Sequence, residues 1–258
     1  MEGIKFPLAA PFLSIIIPAH NEEHRLPVTL DKLFVYLRAQ NYVAEVLVVE
    51  NDSHDRTFQI ASNFAEAYRQ PGEIGCPQMR VVQESERGKG RAVKRGMLEA
   101  SGKYRFMCDA DFSMPVTEIN RFLPPQLDNV DIVIASRETP GAVRYNEPVF
   151  RHVIGRIYNN LIRLIAVPGL HDTQCGFKCF REAVAIDLFQ HQTIPGWSFD
   201  VEVLYIAQQR GYEIVELPIP WYFNPDSKVN VLKDSFQMAL DLLTIRLNGI
   251  QGAYHGKV

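Results

Sequence analysis

The chain has 258 residues, 47% of them hydrophobic and 22% charged, with a formal net charge of −3. That length suits one large domain or two small ones, and the balance of apolar and charged residues excludes a disordered tail protein. A nearly neutral chain has no basic footprint for general nucleic-acid binding, and no apolar run is long enough to span a bilayer.

Met1 to Ala10 lacks a basic patch followed by a long apolar core, so it does not read as a signal peptide. Leu13–Ile17 predicts a first strand, stopped by Pro18. Leu26–Gln40 predicts a helix, with Leu26, Leu30, Leu33, Phe34 and Leu37 at helical spacing. Glu45–Val49 is a second strand, stopped by Asn51-Asp52-Ser53. A helix over Thr57–Tyr68 gathers Phe58, Ala61, Phe64 and Ala65 on one side. Met79–Val82 is a third strand, and Gly90–Ala100 a helix grouping Val93, Met97 and Leu98. Tyr104–Cys108 and Asp131–Ala135 are the fourth and fifth strands, with a helix beginning at Pro115 between them. Short continuous apolar runs suit strands buried on both faces. Their alternation with helices predicts a mostly parallel sheet covered on both sides. Such a sheet binds ligands beyond the carboxyl ends of its strands.

The second half is less regular. Arg137–Pro148 is turn-rich and reads as a loop. Phe150–Ala166 is an amphipathic helix with Ile154, Ile157, Leu161 and Leu164 on one side and Arg151, Arg156 and Arg163 interspersed. Phe199–Gln209 is helical, Glu213–Leu217 a strand, and Asp234–Asn248 a helix carrying Phe236, Leu240, Leu243 and Leu247. No repeat or flexible linker divides the chain, so 1–258 is expected to be one domain. Its cysteines, Cys76, Cys108, Cys175 and Cys179, contain no C-x-x-C pair and suit reduced, buried thiols. A zinc site at Cys175 and Cys179 would need further ligands that the sequence does not supply.

The polar residues after each strand are where chemistry is expected. Asp109-Ala110-Asp111 follows the fourth strand and points two carboxylates the same way. They either hold a hard divalent cation, Mg²⁺ or Mn²⁺, or form a solvated turn capping the next helix. Pro18-Ala19-His20-Asn21-Glu22-Glu23 follows the first strand, and Glu50-Asn51-Asp52-Ser53 the second. Arg87-Gly88-Lys89-Gly90 follows the third and opens a helix, where backbone N–H groups and Lys89 can approach an anion. No G-x-G-x-x-G follows the first strand, which disfavours a nicotinamide enzyme. No G-x-x-x-x-G-K-[ST] is present, which disfavours a P-loop hydrolase.

Together these motifs resemble the inverting family 2 glycosyltransferases of the GT-A fold. Asp172-Thr173-Gln174-Cys175-Gly176-Phe177-Lys178, the Trp197–Gln208 segment, Ser227-Lys228 and Asp241–Leu247 resemble the branch that transfers glucose to dolichyl phosphate. The resemblance covers roughly Leu13 to Tyr254 and implies an α/β nucleotide-diphospho-sugar transferase fold with a Rossmann-like sheet. It implies a nucleotide-sugar half at 13–136 and an acceptor half at 137–258. Pro18, Ala19, Asn21, Glu22, Glu50, Asn51, Ser53, Gly88, Lys89, Asp109 and Ala110 would bind the donor, UDP-glucose. Glu50-Asn51 stands where the family reads the base with an acidic pair. By itself, Glu50 reads equally as a strand-end acid in solvent. Asp109 and Asp111 would hold the metal. Arg137 and Arg151, with Arg156 and Lys228 as weaker candidates, would hold the acceptor phosphate. Asp200 stands where relatives acting on hydroxyls carry a base. A phosphate acceptor needs none, so Asp200 would orient the sugar or a cationic neighbour. Asp172 reads as a loop anchor.

The acceptor implied is a polyprenyl phosphate. The chain is therefore expected to be cytoplasmic and peripheral at the inner face of the cell membrane, with the amphipathic helices on lipid or partly packed on the sheet. A GDP-mannose donor, a soluble glycan hydroxyl as acceptor, and a sugar-nucleotide-binding module without turnover are the alternatives. The tryptophans, Trp197 and Trp221, lack the Gln-x-x-Arg-Trp setting of processive polysaccharide synthases.

Overall fold

A computed structural model describes residues 10–68, 74–225 and 231–254. In chain order the elements of the first half are β1 Leu13–Ala19, α1 Leu26–Arg38, β2 Ala44–Asn51, α2 Thr57–Ala67, β3 Gln78–Glu84, α3 Lys89–Glu99 and β4 Tyr104–Cys108. A 3-10 helix over Val116–Phe122 and β5 Ile132–Ser136 follow. Then come β6 Val143–Tyr145, α4 Val149–Ile165, β7 Phe177–Arg181, α5 Glu182–His191, α6 Phe199–Gln209, β8 Ile214–Pro218, β9 Pro220–Tyr222 and α7 Val231–Ile250.

The main sheet runs β3-β2-β1-β4-β7-β5-β8. Its pairs are parallel except those of β7, which is antiparallel to both β4 and β5. Alternate strand residues enter opposite cores, which is why β1, β2 and β4 carry long apolar runs. Ile16, Leu47, Val49 and Met107 pack with Val93, Met97 and residues of α5 and α6. Ile15, Ile17, Val46, Val48 and Phe106 pack with Leu30, Leu33, Phe34 and Phe122.

Four features depart from the expectation. Pro18 does not stop the first strand. It pairs in register with Val49, beyond the end of the β1–β4 ladder at Ile16, where a missing N–H is tolerated. The helix expected at Pro115 is a 3-10 helix. The Arg137–Pro148 stretch contains β6, which pairs with β9 in a small second sheet. Finally, β7 and α5 occupy a stretch to which no element was assigned. Lys178, a charged residue in the middle of β7, is buried and masks the strand's apolar pattern.

Candidate functional site

The loops leaving β1, β2 and β3 are tied to one another. Asn21 and Asp52 both adopt positive φ, 52° and 54°, which short polar side chains tolerate. Asn21 N donates to Ser53 Oγ at 3.0 Å, and His54 N donates to Asn21 Oδ1 at 2.8 Å. Glu50 is buried rather than solvated. Its Oε1 accepts from Ser53 N at 2.6 Å and its Oε2 from Gln83 Nε2 at 3.4 Å. Glu22 is also buried, forms a two-pronged ion pair with Arg25 at 2.6 and 2.7 Å, and donates its backbone N–H to Thr57 Oγ1 at 2.6 Å. Ala19 is buried at the end of β1. The Asn51 amide is committed to the third loop. Its Nδ2 donates to the Glu84 and Glu86 carbonyls, and its Oδ1 accepts from Gly88 N at 2.8 Å. Asn51 therefore shapes the turn that delivers Lys89.

Beyond β4, Lys89 Nζ lies 2.6 Å from Asp109 Oδ1. Asp109 N donates to the Gly176 carbonyl at 3.1 Å, and the Asp109 carboxylate fills the space that a side chain at Gly176 would need. Ala110 is held through its carbonyl, which accepts from Thr29 Oγ1 at 2.6 Å. Asp111 Oδ1 accepts from Ser113 N at 3.1 Å. Burial and the neighbouring Asp109 charge raise the Asp111 carboxyl above its ordinary range. Burial pulls the Lys89 ammonium down, but Asp109, Asp200 and Asp111 outweigh it and raise its pKa. Asp200 Oδ1 accepts from the buried Lys178 Nζ at 2.7 Å, and Lys178 also donates to the Cys175 carbonyl at 2.6 Å.

Among the described residues no cluster of three or more metal-ligating side chains forms. Asp109 and Asp111 are two hard oxygen donors whose mutual repulsion a dication would relieve. That donor set fits Mg²⁺ or Mn²⁺ completed by water and phosphate oxygens, and does not fit a closed protein cage.

A cavity of about 270 Å³ opens beside this cluster, lined by Lys89, Asp109, Asp111 and Asp200 at one end and by Arg137 and Arg151 toward α4. Arg137 is already paired: its Nε and Nη2 donate to Asp172 at 2.7 and 3.0 Å, and its backbone N–H donates to the same carboxylate. Burial alone would raise the Asp172 carboxyl, but Arg137 overrides it and brings the pKa down to about 2. Asp172 is thus more than a loop anchor: it neutralises a predicted phosphate ligand. Arg151 has no carboxylate partner among the described residues and sits over the Phe223 ring at 5.1 Å. Arg156 is exposed on α4 and does not line the cavity. Lys228 lies outside the described residues. Pro18, Ala19, Asn21, Glu22, Glu50, Asn51 and Ser53 do not line the cavity either. They form the adjoining rim at the ends of β1 and β2.

Sequence reading missed Lys178, Trp197, Trp221 and Glu147. Trp197 lies under the Lys89 ammonium at 5.3 Å, and Trp221 lies under Arg137 at 5.4 Å. Glu147 pairs with Arg144 at 2.8 Å beside the cavity. A tryptophan next to a polar, turn-rich stretch was the available signal.

The outer faces of α4 and α7 are apolar. Val149, Phe150, Val153 and Leu164 are exposed on α4, and Phe236, Leu240, Leu243, Leu247 and Ile250 on α7. The inward faces use other residues, among them Ile162, Leu242 and Ile245. The rows that define the amphipathic pattern in sequence therefore face outward. Ile157 lies outside the residues whose side chains are described. No helix among the described residues is long and apolar enough to cross a membrane.

The family model for glycosyl transferase family 2 matches residues 14–189. The chain is 31% identical to the dolichyl-phosphate beta-glucosyltransferase of Dictyostelium discoideum, over 97% of this chain and 78% of that one. It is 32% identical to the human dolichyl-phosphate beta-glucosyltransferase, over 94% and 77%. Among solved structures, glucosyl-3-phosphoglycerate synthase of Mycobacterium tuberculosis bound to UDP superposes with a TM-score of 0.66 at 17% identity, covering 91% of this chain and 80% of that one. The same synthase with Mn²⁺, UDP-glucose and glycerol 3-phosphate gives 0.64 at 16%, covering 92% and 79%.

Proposed function

This chain belongs to glycosyl transferase family 2, with the GT-A fold of that family, and from that premise we propose that it transfers a hexose, glucose from UDP-glucose, to the phosphate of a polyprenyl phosphate with inversion at the anomeric carbon. One observation carries the reading: a single cavity joins a lysine–dicarboxylate cluster to Arg151, on a helix whose outer face is apolar. The relatives' names supply the sugar and the lipid.

In this reading residues 13–136 bind the donor and 137–258 the acceptor. Glu50 and Ser53 offer polar groups to the base on the rim, with Pro18, Ala19, Asn21 and Glu22 framing it. Asp109 and Asp111 would hold Mg²⁺ or Mn²⁺, which would supply positive charge to offset that of the departing diphosphate. Lys89 adds a cation at the same oxygens, placed by Gly88 at the start of α3.

The acceptor phosphate has a second pKa near about 6, so at neutral pH it is already an anionic nucleophile. No side chain has to remove a proton. Asp200, locked on Lys178, fits an orienting role. Arg151 offers a free planar fork to the phosphate, while the Arg137–Asp172 pair gives directional N–H groups with little net charge. Rate then comes from alignment and from preorganised positive charge at the leaving group. Because the acceptor's chain stays in lipid, α4 and α7 lie on the bilayer surface as a peripheral attachment.

The test incubates the purified protein with Mg²⁺ or Mn²⁺, UDP-glucose or GDP-mannose, and polyprenyl phosphate, and weighs the lipid product. Hexosyl lipid from UDP-glucose is expected. Transfer only from GDP-mannose overturns the proposal in its donor, and transfer only to a soluble glycan supplied in place of the lipid overturns it in its acceptor.

A further inference from the structure

Glu202, on α6, does not line the cavity, yet it is wholly buried. Its carboxylate is gripped by neutral donors. Thr193 N reaches both oxygens at 3.0 and 2.9 Å, Thr193 Oγ1 donates at 2.5 Å, Ile194 N at 2.7 Å, and the Tyr254 hydroxyl at 2.8 Å. A buried carboxylate is costly unless each donor is in place, so this arrangement strongly specifies the backbone that supplies them.

That backbone leads directly to the donor end of the cavity. Gly90 N donates to the Pro195 carbonyl at 2.9 Å. Gln192 Nε2 donates to the Gly90 and Ile194 carbonyls at 3.0 and 2.8 Å. At Gly88 and Gly90 an added Cβ would collide with the Pro195 and Ile194 carbonyl oxygens. Segment 192–197 is therefore fastened against the first turn of α3, which carries Lys89, and it ends in Trp197 beneath the Lys89 ammonium. On its other side Glu202 meets Tyr254, beyond α7. The Tyr254 carbonyl accepts from Arg210 Nη2 at 2.7 Å.

We infer that Glu202 is a positioning residue, braced by Tyr254: it fixes the 192–197 segment so that Trp197 and the first turn of α3 hold Lys89 at the donor diphosphate. The inference rests on the reading of Lys89 as a diphosphate ligand. It also links the segment following the lipid-facing helix α7 to the donor site.

Kinetics are read with the unaltered full chain as parent, because Trp221 lines the cavity under Arg137; quenching is read in a Trp221→Phe parent, which leaves Trp197 as the single tryptophan. Into both go Tyr254→Phe, Glu202→Gln and the milder Thr193→Ala. Tyr254→Phe and Thr193→Ala each remove one hydrogen bond to the carboxylate, Glu202→Gln sets an amide NH2 against at least two of its donors, and far-UV circular dichroism with a cooperative melt identifies the folded variants. Acrylamide quenching of Trp197 is expected to rise at least about twofold, because a loosened segment exposes the ring. The KM for UDP-glucose should rise about tenfold with kcat within about threefold, because Lys89 already touches the diphosphate in the bound donor. The acceptor KM should stay unchanged. If folded variants keep the parent's quenching, or if quenching changes while the donor KM does not, the inference is overturned. Should Glu202→Gln fail to fold, Tyr254→Phe and Thr193→Ala decide the matter. If the parent neither binds UDP nor transfers sugar, the reading of Lys89 fails, while quenching still reports whether Glu202 sets Trp197.

Discussion

Asp111 carries the heaviest chemical demand of any single residue. Its half-buried carboxyl lies beside Asp109 and lines the cavity. Asp111→Ala should lower Mn²⁺-dependent transfer by at least about 100-fold. Assays across a metal titration check this, and full activity in chelator would remove the metal from the scheme. Arg151→Ala should raise the acceptor KM about tenfold or more and leave calorimetric UDP affinity intact, since Arg151 has no carboxylate to neutralise it. Asp172 behaves differently. Its folded pKa is about 2, depressed below the unfolded value near about 3.9, so the pairing stabilises the fold fully above that unfolded value and is lost as pH falls toward 2. Asp172→Asn should destabilise the protein by about 1–3 kcal/mol at pH 7, because it leaves a partly buried guanidinium without its counter-charge. The gap to the parent should narrow on acidification, which denaturant melts at several pH values measure. Asp109, Asp111, Lys89 and Arg137 stand out in the sequence because each follows a strand or carries a motif, whereas Arg151, on α4, is singled out only by the family resemblance. Their partners do not stand out, since Asp172 and Lys178 meet Arg137 and Asp200 only after folding.

Among elements, the strands and helices of the first half were legible because each strand is apolar on both faces and each helix buries one stripe. Phe199–Gln209 matched α6 end to end. β7 was hidden by Lys178, whose charge Asp200 balances, and β6 and β9 by being three residues long. The outer rows of α4 and α7 give the clearest test at this scale. Leu243 and Leu247 are more than half exposed, so Leu243→Glu with Leu247→Glu should change stability by no more than about 0.5 kcal/mol per site. The same pair should abolish most sedimentation with anionic phospholipid vesicles. Retained sedimentation would show that these rows do not meet lipid.

At the scale of the whole molecule, strands from 13–136 and from 137–258 share one sheet, so nucleotide binding should stabilise the entire chain. UDP with Mn²⁺ at about 100 times its Kd should add about 2.7 kcal/mol, a shift of several degrees in melting temperature. GDP should add much less. An equal response to both would remove base selection at Glu50. The mostly parallel architecture could be read from the order of the elements. The reversal at β7 could not, because direction depends on which neighbour a strand meets, and that is decided by packing across the whole sheet.

The reversed β7 has an architectural result. At β1, β2 and β3 the mouth receives the segment that leaves the strand, and that segment goes on to a helix. In the β7 slot the mouth receives the segment that enters, Asp172 to Gly176, while α5 departs from the opposite end. Asp172 and Gly176 are fixed there by Arg137 and Asp109, so Gln174, which lines the cavity between them, is the position at which acceptor choice can be retuned while the nucleotide side keeps its shape.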